Sequence, residues 1–124
     1  MKKQRPTSPH LQVYKPQLTS ILSITHRFTG VALSAALVVL CYGVVALSLG
    51  HESYNAFLTH VGTWYGKALM IGWGFSFYYH LCNGLRHLYW DIGKGYGLKT
   101  VYKTGWMVVA IAIGLTLITA MKVV

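Results

Sequence analysis

The chain has 124 residues, of which 54% are hydrophobic and only 10% are charged. A soluble domain carries roughly 25% charged residues, so this composition excludes an ordinary water-facing surface and indicates a protein embedded in lipid. Eleven lysines and arginines against two acids give a net charge of +9. Because the basic residues flank apolar runs, they indicate membrane lipid and not nucleic acid as the partner. The length leaves room for one membrane domain, residues 1–124, and for no separate catalytic module.

The first polar cluster in chain order lies in SITHRFTG, residues 23–30, at the mouth of an apolar run. Ser23, His26 and Arg27 fall at i, i+3 and i+4, which puts them on one helical face. Ser23 and Arg27 at the lipid boundary could hydrogen-bond the carbonyls of a quinone, and Arg27 would favour its partly reduced, negative form. A capped helix N-terminus with a snorkelling arginine explains the same spacing, so both interpretations stay open.

Three apolar segments, residues 28–49, 64–85 and 105–121, approach the ~20 residues that a helix needs to cross a bilayer. They predict an all-α membrane protein with three transmembrane helices. Residues 50–63 connect the first two spans and contain no Lys or Arg, and residues 91–103 are expected to form an irregular surface connection.

The distribution of basic residues predicts the orientation of these spans. Nine of the eleven precede the first span or lie between the second and the third: Lys2, Lys3, Arg5, Lys15, Arg27, Arg86, Lys94, Lys99 and Lys103. By the positive-inside rule the N-terminus lies on the cytoplasmic or matrix side and the C-terminus lies outside.

The second polar cluster closes the second span. His80, Asn83, Gly84 and His87 fall at i, i+3, i+4 and i+7 on one helical face, with His80 roughly 10 Å deeper than His87. Ionisable groups at that depth usually face a partner, a cavity or a cofactor. Gly84 would leave space for a flat cofactor, and Arg86 and His87 lie where porphyrin carboxylates could emerge, which suits a b-type haem. A neutral His80 bonded to another helix is the alternative, with Arg86 and His87 as ordinary interfacial anchors.

The predicted topology brings the two polar clusters to the same side of the membrane, where they could meet.

Two segments of the sequence resemble a known family. The segments RPTSPHLQVYKPQLTSILSITHR and HLCNGLRHLYWDIGKG are similar to the cytochrome b556 membrane-anchor subunits of succinate dehydrogenase, respiratory complex II. The family pattern is R-P-x-S-P-H, then S-I-x-H-R-x-T/S-G, then H-x-x-x-G-I/L-R-H-x-x-x-D on the second of three helices. All three parts occur in order, and the resemblance covers essentially the whole chain.

The resemblance implies roles for individual residues. His80 would be an axial ligand of haem b, and so a ligand of the haem iron, while a second small membrane subunit would supply the other axial histidine. Ser23 and Arg27 would line a ubiquinone site. His26, Arg27 and His87 would lie on the haem-propionate side, and Arg86 would face the propionates or a docking surface.

The resemblance also implies a function, a membrane anchor of succinate:quinone oxidoreductase that is not catalytic alone. Its partners would be the second anchor subunit, an iron–sulfur subunit, a flavoprotein subunit and ubiquinone. Two acids and two isolated cysteines leave no place in this chain for flavin or iron–sulfur centres. A cofactor-free membrane anchor or assembly subunit and the anchor of a quinol:fumarate reductase are the alternatives. Because no mitochondrial presequence is recognisable, a bacterial inner membrane is expected before a mitochondrial inner membrane.

Overall fold

The computed structural model describes residues 14–123 of the chain. Over this range the structure is all-α, as predicted. Four helices follow one another in the chain: α1 (Leu18–Ser48), α2 (His51–Val61), α3 (Trp64–Asp91) and α4 (Leu98–Val123). The R-P-x-S-P-H part of the family pattern and the basic residues Lys2, Lys3 and Arg5 lie outside the described residues.

Each predicted span lies inside a longer helix. Helices α1, α3 and α4 have 31, 28 and 26 residues. Two segments of the described chain, Leu18–Ser48 and Leu98–Lys122, are long and apolar enough to cross a membrane. Helix α3 does not reach the same apolarity, because polar side chains such as Ser76, His80 and Asn83 lower its hydropathy. The structure thus has two candidate membrane spans where the sequence predicts three.

The connection between the first two predicted spans is itself helical. Gly50 turns the chain after α1 with a φ of +113°, which a residue with a side chain rarely adopts. Helix α2 then folds back on α1, and the Phe57 ring lies so close to Gly43 that a Cβ there would be 2.9 Å from the ring. Tyr54, Phe57 and Leu58 fall at i, i+3 and i+4 and so form one apolar side of this short helix.

The junction between α2 and α3 is tight. Thr63 is the N-cap of α3: its side-chain oxygen accepts a 3.2 Å hydrogen bond from the Gly66 N–H and its hydroxyl donates to the His60 carbonyl at 2.6 Å. A Cβ at Gly66 would meet the backbone carbonyl oxygens of His60 and Val61. Only glycine therefore fits at this position.

The turn between α3 and α4 is shorter than predicted. Only residues 92–97 are irregular, with Gly93 and Gly95 at φ +77° and +83°. The prediction of an irregular connection over residues 91–103 is wrong for residue 91 and for residues 98–103, which are helical. After Gly97 no residue breaks a helix, and the Val101 N–H donates to the Gly97 carbonyl at 2.9 Å to close the first turn.

Helix α3 packs against both α1 and α4. Leu22, Tyr79, Val108 and Ala112 form the buried core between them, and the Tyr79 hydroxyl donates to the Leu22 carbonyl at 2.8 Å. Outside this core most large apolar side chains are exposed, for example Val31 with 71% of its surface accessible. A soluble monomer rarely exposes so much apolar surface, so these faces suit lipid or other apolar helices.

Candidate functional site

Three imidazoles lie side by side where the beginning of α1 meets the end of α3. The His26 ring of α1 stacks on the His80 ring of α3, with 3.8 Å between centroids and an interplanar angle of 13°. The His26 ring also lies 5.3 Å from the His87 ring, measured between centroids. The structure therefore brings together the two polar clusters that the sequence places on one membrane side.

The backbone of α1 fixes the protonation pattern of His80. The His80 Nδ1 lies 3.1 Å from the His26 carbonyl oxygen. A carbonyl oxygen can only accept a hydrogen bond, so Nδ1 is the donor, and in a neutral imidazole Nε2 is then the nitrogen that carries the lone pair. Within the described residues Nε2 makes no hydrogen bond, which leaves it as the ring atom free to bind a metal or another ligand.

Gly30 lets the His80 ring approach α1 closely. A Cβ at Gly30 would lie 3.1 Å from the His80 Cε1 and 3.7 Å from its Nδ1, which is tighter than ordinary contact. Gly84, which the sequence suggests as the space for a flat cofactor, is farther from any ring: its Cβ would be 4.0 Å from the His26 Cε1. The glycine that contacts the deep histidine is therefore on α1 and not on α3.

A buried polar network continues from His87 to α4. The Asn83 side chain is fully buried, and its amide nitrogen lies 3.4 Å from the His87 Nε2. The Asn83 side-chain oxygen, Oδ1, accepts a hydrogen bond from Arg86 at 3.4 Å. Arg86 also donates to the Val101 backbone carbonyl at 2.9 Å and to the Thr104 hydroxyl at 3.1 Å. Arg86 is only 7% exposed. Its contacts therefore fasten α3 to α4, whereas the sequence suggested a role facing propionates or a docking surface.

Trp90 covers this network from the end of α3. The Arg86 guanidinium carbon lies 4.1 Å from the centre of the Trp90 ring, and the same ring meets His87 edge-on with 5.2 Å between centroids. Cation–π contact of this kind stabilises a charge that is withdrawn from water. Arg86 is thus held by carbonyls, a hydroxyl and an aromatic face.

Ser23 and Arg27 flank the histidines on α1. Ser23 is half-buried and Arg27 is exposed, and neither side chain makes a hydrogen bond within the described residues. His26 also has an unused hydrogen-bonding group, because its buried Nδ1 has no hydrogen-bond partner within the described residues. These groups are available to bind a polar ligand at the mouth of the bundle.

Sequence reasoning missed two residues of the site, Thr29 and Gly30. Both lie in the quoted SITHRFTG segment, and Thr29 falls at i+3 and Gly30 at i+4 from His26, the same helical spacing that identified Ser23 and Arg27. Thr29 is 5% exposed, and its hydroxyl oxygen lies 3.1 Å from the His80 Nδ1. Helical spacing could have indicated both positions, but not that His80 faces them.

Comparison with known proteins decides the family. The family described as succinate dehydrogenase/fumarate reductase transmembrane subunit matches residues 1–119. The chain belongs to this family.

Individual members of the family align with nearly the whole length of this chain. It is 44% identical over 115 residues to the succinate dehydrogenase cytochrome b556 subunit of Rickettsia prowazekii, covering 93% of this chain and 90% of the relative. It is 38% identical over 127 residues to the succinate dehydrogenase cytochrome b560 subunit of Marchantia polymorpha, covering 98% and 93%. The cytochrome b556 subunit of Paracoccus denitrificans is 36% identical over 115 residues, covering 93% and 88%. The resemblance indicated by the sequence motifs is confirmed.

Proposed function

We propose that this chain is a membrane-anchor subunit of a succinate:quinone oxidoreductase. In this proposal His80 would provide one histidine ligand to a haem b that is shared with a second small membrane subunit. Ser23 and Arg27 contribute to the ubiquinone-reduction site, which receives electrons from an iron–sulfur subunit. The chain does not itself bind succinate.

The observation that carries the proposal is the hydrogen bond from the His80 Nδ1 to the His26 carbonyl at 3.1 Å. Metal-bound histidines usually donate their other ring N–H to a carbonyl or carboxylate, which fixes the tautomer and the ring orientation. His80 meets this condition and keeps Nε2 for iron. The donor set therefore fits a haem with one histidine from this chain.

The neighbouring imidazoles fit the carboxylates of the same group. The buried, unpartnered Nδ1 of His26 is a nitrogen that could donate to a propionate oxygen. His87, whose Nε2 faces the Asn83 amide, would present Nδ1 as a donor on the same side. Arg27, exposed one residue after His26, would add a positive charge at the rim.

Haem b, when bound, would supply a one-electron store beside the quinone site. The residues of this chain act on the quinone itself. The Ser23 hydroxyl and the Arg27 guanidinium would hydrogen-bond a quinone carbonyl oxygen, and Arg27 would stabilise the negative charge that develops on that oxygen as electrons arrive. Protons would reach the oxygen from the basic, water-facing end of the bundle.

The proposal includes three membrane spans, in α1, α3 and α4, with the N-terminus on the cytoplasmic or matrix side. The helix pairing supports it, since the beginning of α1 and the end of α3 meet at the histidines and Arg86 bonds the beginning of α4. The basic side chains near these helix ends therefore gather at one end of the bundle: Lys15, Arg27, Lys94, Lys99 and Lys103. Charge so distributed favours that end for the inner side. The setting would be a bacterial inner membrane, with a mitochondrial inner membrane as the alternative.

The exposed apolar faces and the basic end suit the proposed partners. The second anchor subunit would cover part of the apolar surface beside His80 and bring the second axial histidine. The iron–sulfur subunit, which itself carries the flavoprotein subunit, would dock on the basic end, beside Ser23 and Arg27.

The test of the haem ligand is a His80→Leu variant co-expressed with the partner subunits. Reduced-minus-oxidised absorption spectra of the purified complex should lose the b-type haem signal. His51→Leu, which removes an exposed histidine from the beginning of α2, is the matched control and should keep it. A full haem signal in the His80→Leu complex would remove this residue from the ligand set.

The quinone site is tested separately. Ser23→Ala and Arg27→Ala should lower ubiquinone reduction by about tenfold or more while succinate oxidation with an artificial dye acceptor is kept, since a lost charged hydrogen bond is worth about 1.5–3 kcal/mol. Ser34→Ala, an exposed serine farther along α1, serves as the control. Equal loss of both activities would point to failed assembly instead.

One observation favours a second candidate, a cofactor-free anchor or assembly subunit. The same hydrogen bond to the His26 carbonyl would satisfy a histidine that only links α1 to α3. In that case the His80→Leu complex would lose stability and the wild-type complex would contain no haem. An anchor of a quinol:fumarate reductase would retain haem and differ in the preferred direction of turnover.

A further inference from the structure

The His80 ring has a second polar neighbour on α1 besides the His26 carbonyl. The Thr29 hydroxyl donates to the His26 carbonyl at 2.9 Å, and its oxygen lies 3.1 Å from the His80 Nδ1. Because the hydroxyl proton is used on the carbonyl, the oxygen accepts from the His80 Nδ1–H. The ring N–H is therefore shared between two acceptors, one of which is a side chain that can be changed.

Thr29 is held in place for this contact. It is 5% exposed, and as a β-branched residue in a helix it has few side-chain rotamers. Its hydrogen bond to the carbonyl three residues earlier fixes the hydroxyl direction as well. Gly30, the next residue, leaves the space in which the imidazole lies, since a Cβ there would be 3.1 Å from the ring.

We propose that Thr29 is a positioning residue for His80, which fixes the tautomer and rotation of the imidazole and strengthens Nε2 as a donor to iron. This inference rests on the proposed role of His80 as a haem ligand. Withdrawing the Nδ1 proton toward an acceptor increases electron density on the ring, and a more basic ligand stabilises the oxidised iron. Thr29 therefore tightens haem binding and lowers the reduction potential of the haem.

The experiment uses Thr29→Val in the complete, purified complex. Valine keeps the branched shape and removes the acceptor. Loss of an outer partner of a metal-bound histidine typically costs 10–100-fold in affinity, and about tenfold is expected here because the His26 carbonyl still accepts. The readouts are haem per complex, the rate of haem transfer to an apo-haem acceptor, the midpoint potential and the electron paramagnetic resonance of the oxidised, low-spin haem. The potential should rise and the resonance positions should shift.

Two further variants separate the hydrogen bond from packing. Thr29→Ser keeps the hydroxyl and should restore wild-type values, whereas Thr29→Cys has the size of serine with a weak acceptor and should behave like valine. If the valine complex does not assemble, the serine and cysteine pair decides alone. Ser34→Ala, an exposed residue whose hydroxyl bonds the Gly30 carbonyl at 3.1 Å, is the control on the same helix.

The outcomes distinguish this inference from the proposed function. Haem properties identical in the valine, cysteine and wild-type complexes would overturn the role of Thr29 while His80→Leu still abolishes the haem signal. Haem retained in His80→Leu would overturn the ligand assignment itself.

Discussion

The two ends of the helix bundle share α1, α3 and α4 but hold opposite chemistry. At the end where α1 begins, polar groups meet: three partly buried imidazoles and a buried asparagine, threonine and arginine. At the other end lies an apolar cavity of about 550 Å³, whose lining includes Leu33, Phe57, Trp73 and Phe77. The polar end is held by directed hydrogen bonds, whereas mostly apolar side chains line the cavity at the other end. A single substitution should therefore affect the two ends differently.

The largest effect is expected from Arg86→Leu at the polar end. The change removes three hydrogen bonds from the guanidinium, to Asn83, Val101 and Thr104, and within the described chain it leaves the buried Asn83 side-chain oxygen without a partner. The cost should be about 3 kcal/mol or more, seen as a lower unfolding temperature of the purified complex or as failed assembly. Lys103→Leu removes an exposed cation near the same turn and should change stability by less than about 0.5 kcal/mol. Similar stability of the two variants would show that Arg86 does not fasten α3 to α4.

A steric change at the apolar end should come next. A Cβ at Gly66 would meet the carbonyl oxygens of His60 and Val61, which are backbone atoms that cannot rotate away. Gly66→Ala should therefore cost about 2 kcal/mol, measured by thermal unfolding, and the haem spectrum of the complex that still assembles should be unchanged. Gly114→Ala, with no atom within 4 Å of its Cβ in the described chain, is the control and should be neutral or slightly stabilising. A shifted haem spectrum in Gly66→Ala would contradict the independence of the two ends.

Gly30→Ala should change the haem spectrum more than the stability, unlike Gly66→Ala. Its Cβ would lie 3.1 Å from the His80 Cε1, so the ring must move by a few tenths of an ångström. We expect a stability loss of about 1 kcal/mol, with a shifted haem spectrum and potential. Gly43→Ala, whose Cβ would lie 2.9 Å from the Phe57 ring at the apolar end, gives a similar steric conflict. It should lower stability while leaving the haem signal as in the wild type.

The smallest effect is expected for Tyr78→Phe. The Tyr78 hydroxyl and the Thr119 hydroxyl lie 2.8 Å apart between α3 and α4, beside the apolar cavity. Removing this bond should cost about 0.5 kcal/mol in thermal unfolding and nothing in haem potential. Thr119→Val should give the same result, and the double variant should add little to either. A fully additive loss would mean that the two hydroxyls do not act together.

The sequence predicted the features that depend on local periodicity. Spacing along one chain segment is enough to predict the all-α class and the central apolar part of each long helix. It also predicts the shared face of His80, Asn83 and His87. That the two polar clusters could meet followed from the predicted topology, because charged ends of successive helices return to the same side. These predictions needed no knowledge of how one helix is rotated against another.

The remaining features depend on that rotation. Packing between helices that are distant in sequence decides whether His80 faces Thr29 and Gly30. It also decides whether Arg86 turns toward α4 or toward the histidines. Spacing within α3 is compatible with either arrangement. The helix α2 was missed for another reason, since its 11 residues mix polar and apolar side chains and its stability comes from Phe57 against Gly43.

The contacts of His80 with α1 have a consequence for the order of events in biogenesis. Each hydrogen bond that aims this imidazole comes from the same polypeptide, through the His26 carbonyl and the Thr29 hydroxyl. Folding of the subunit alone is then sufficient to immobilise the ring. The rotational entropy of the side chain is lost before any other polypeptide arrives, and a prearranged group binds its ligand with less ordering cost. Under the proposed function, the subunit would therefore enter assembly with its haem-ligating imidazole already oriented.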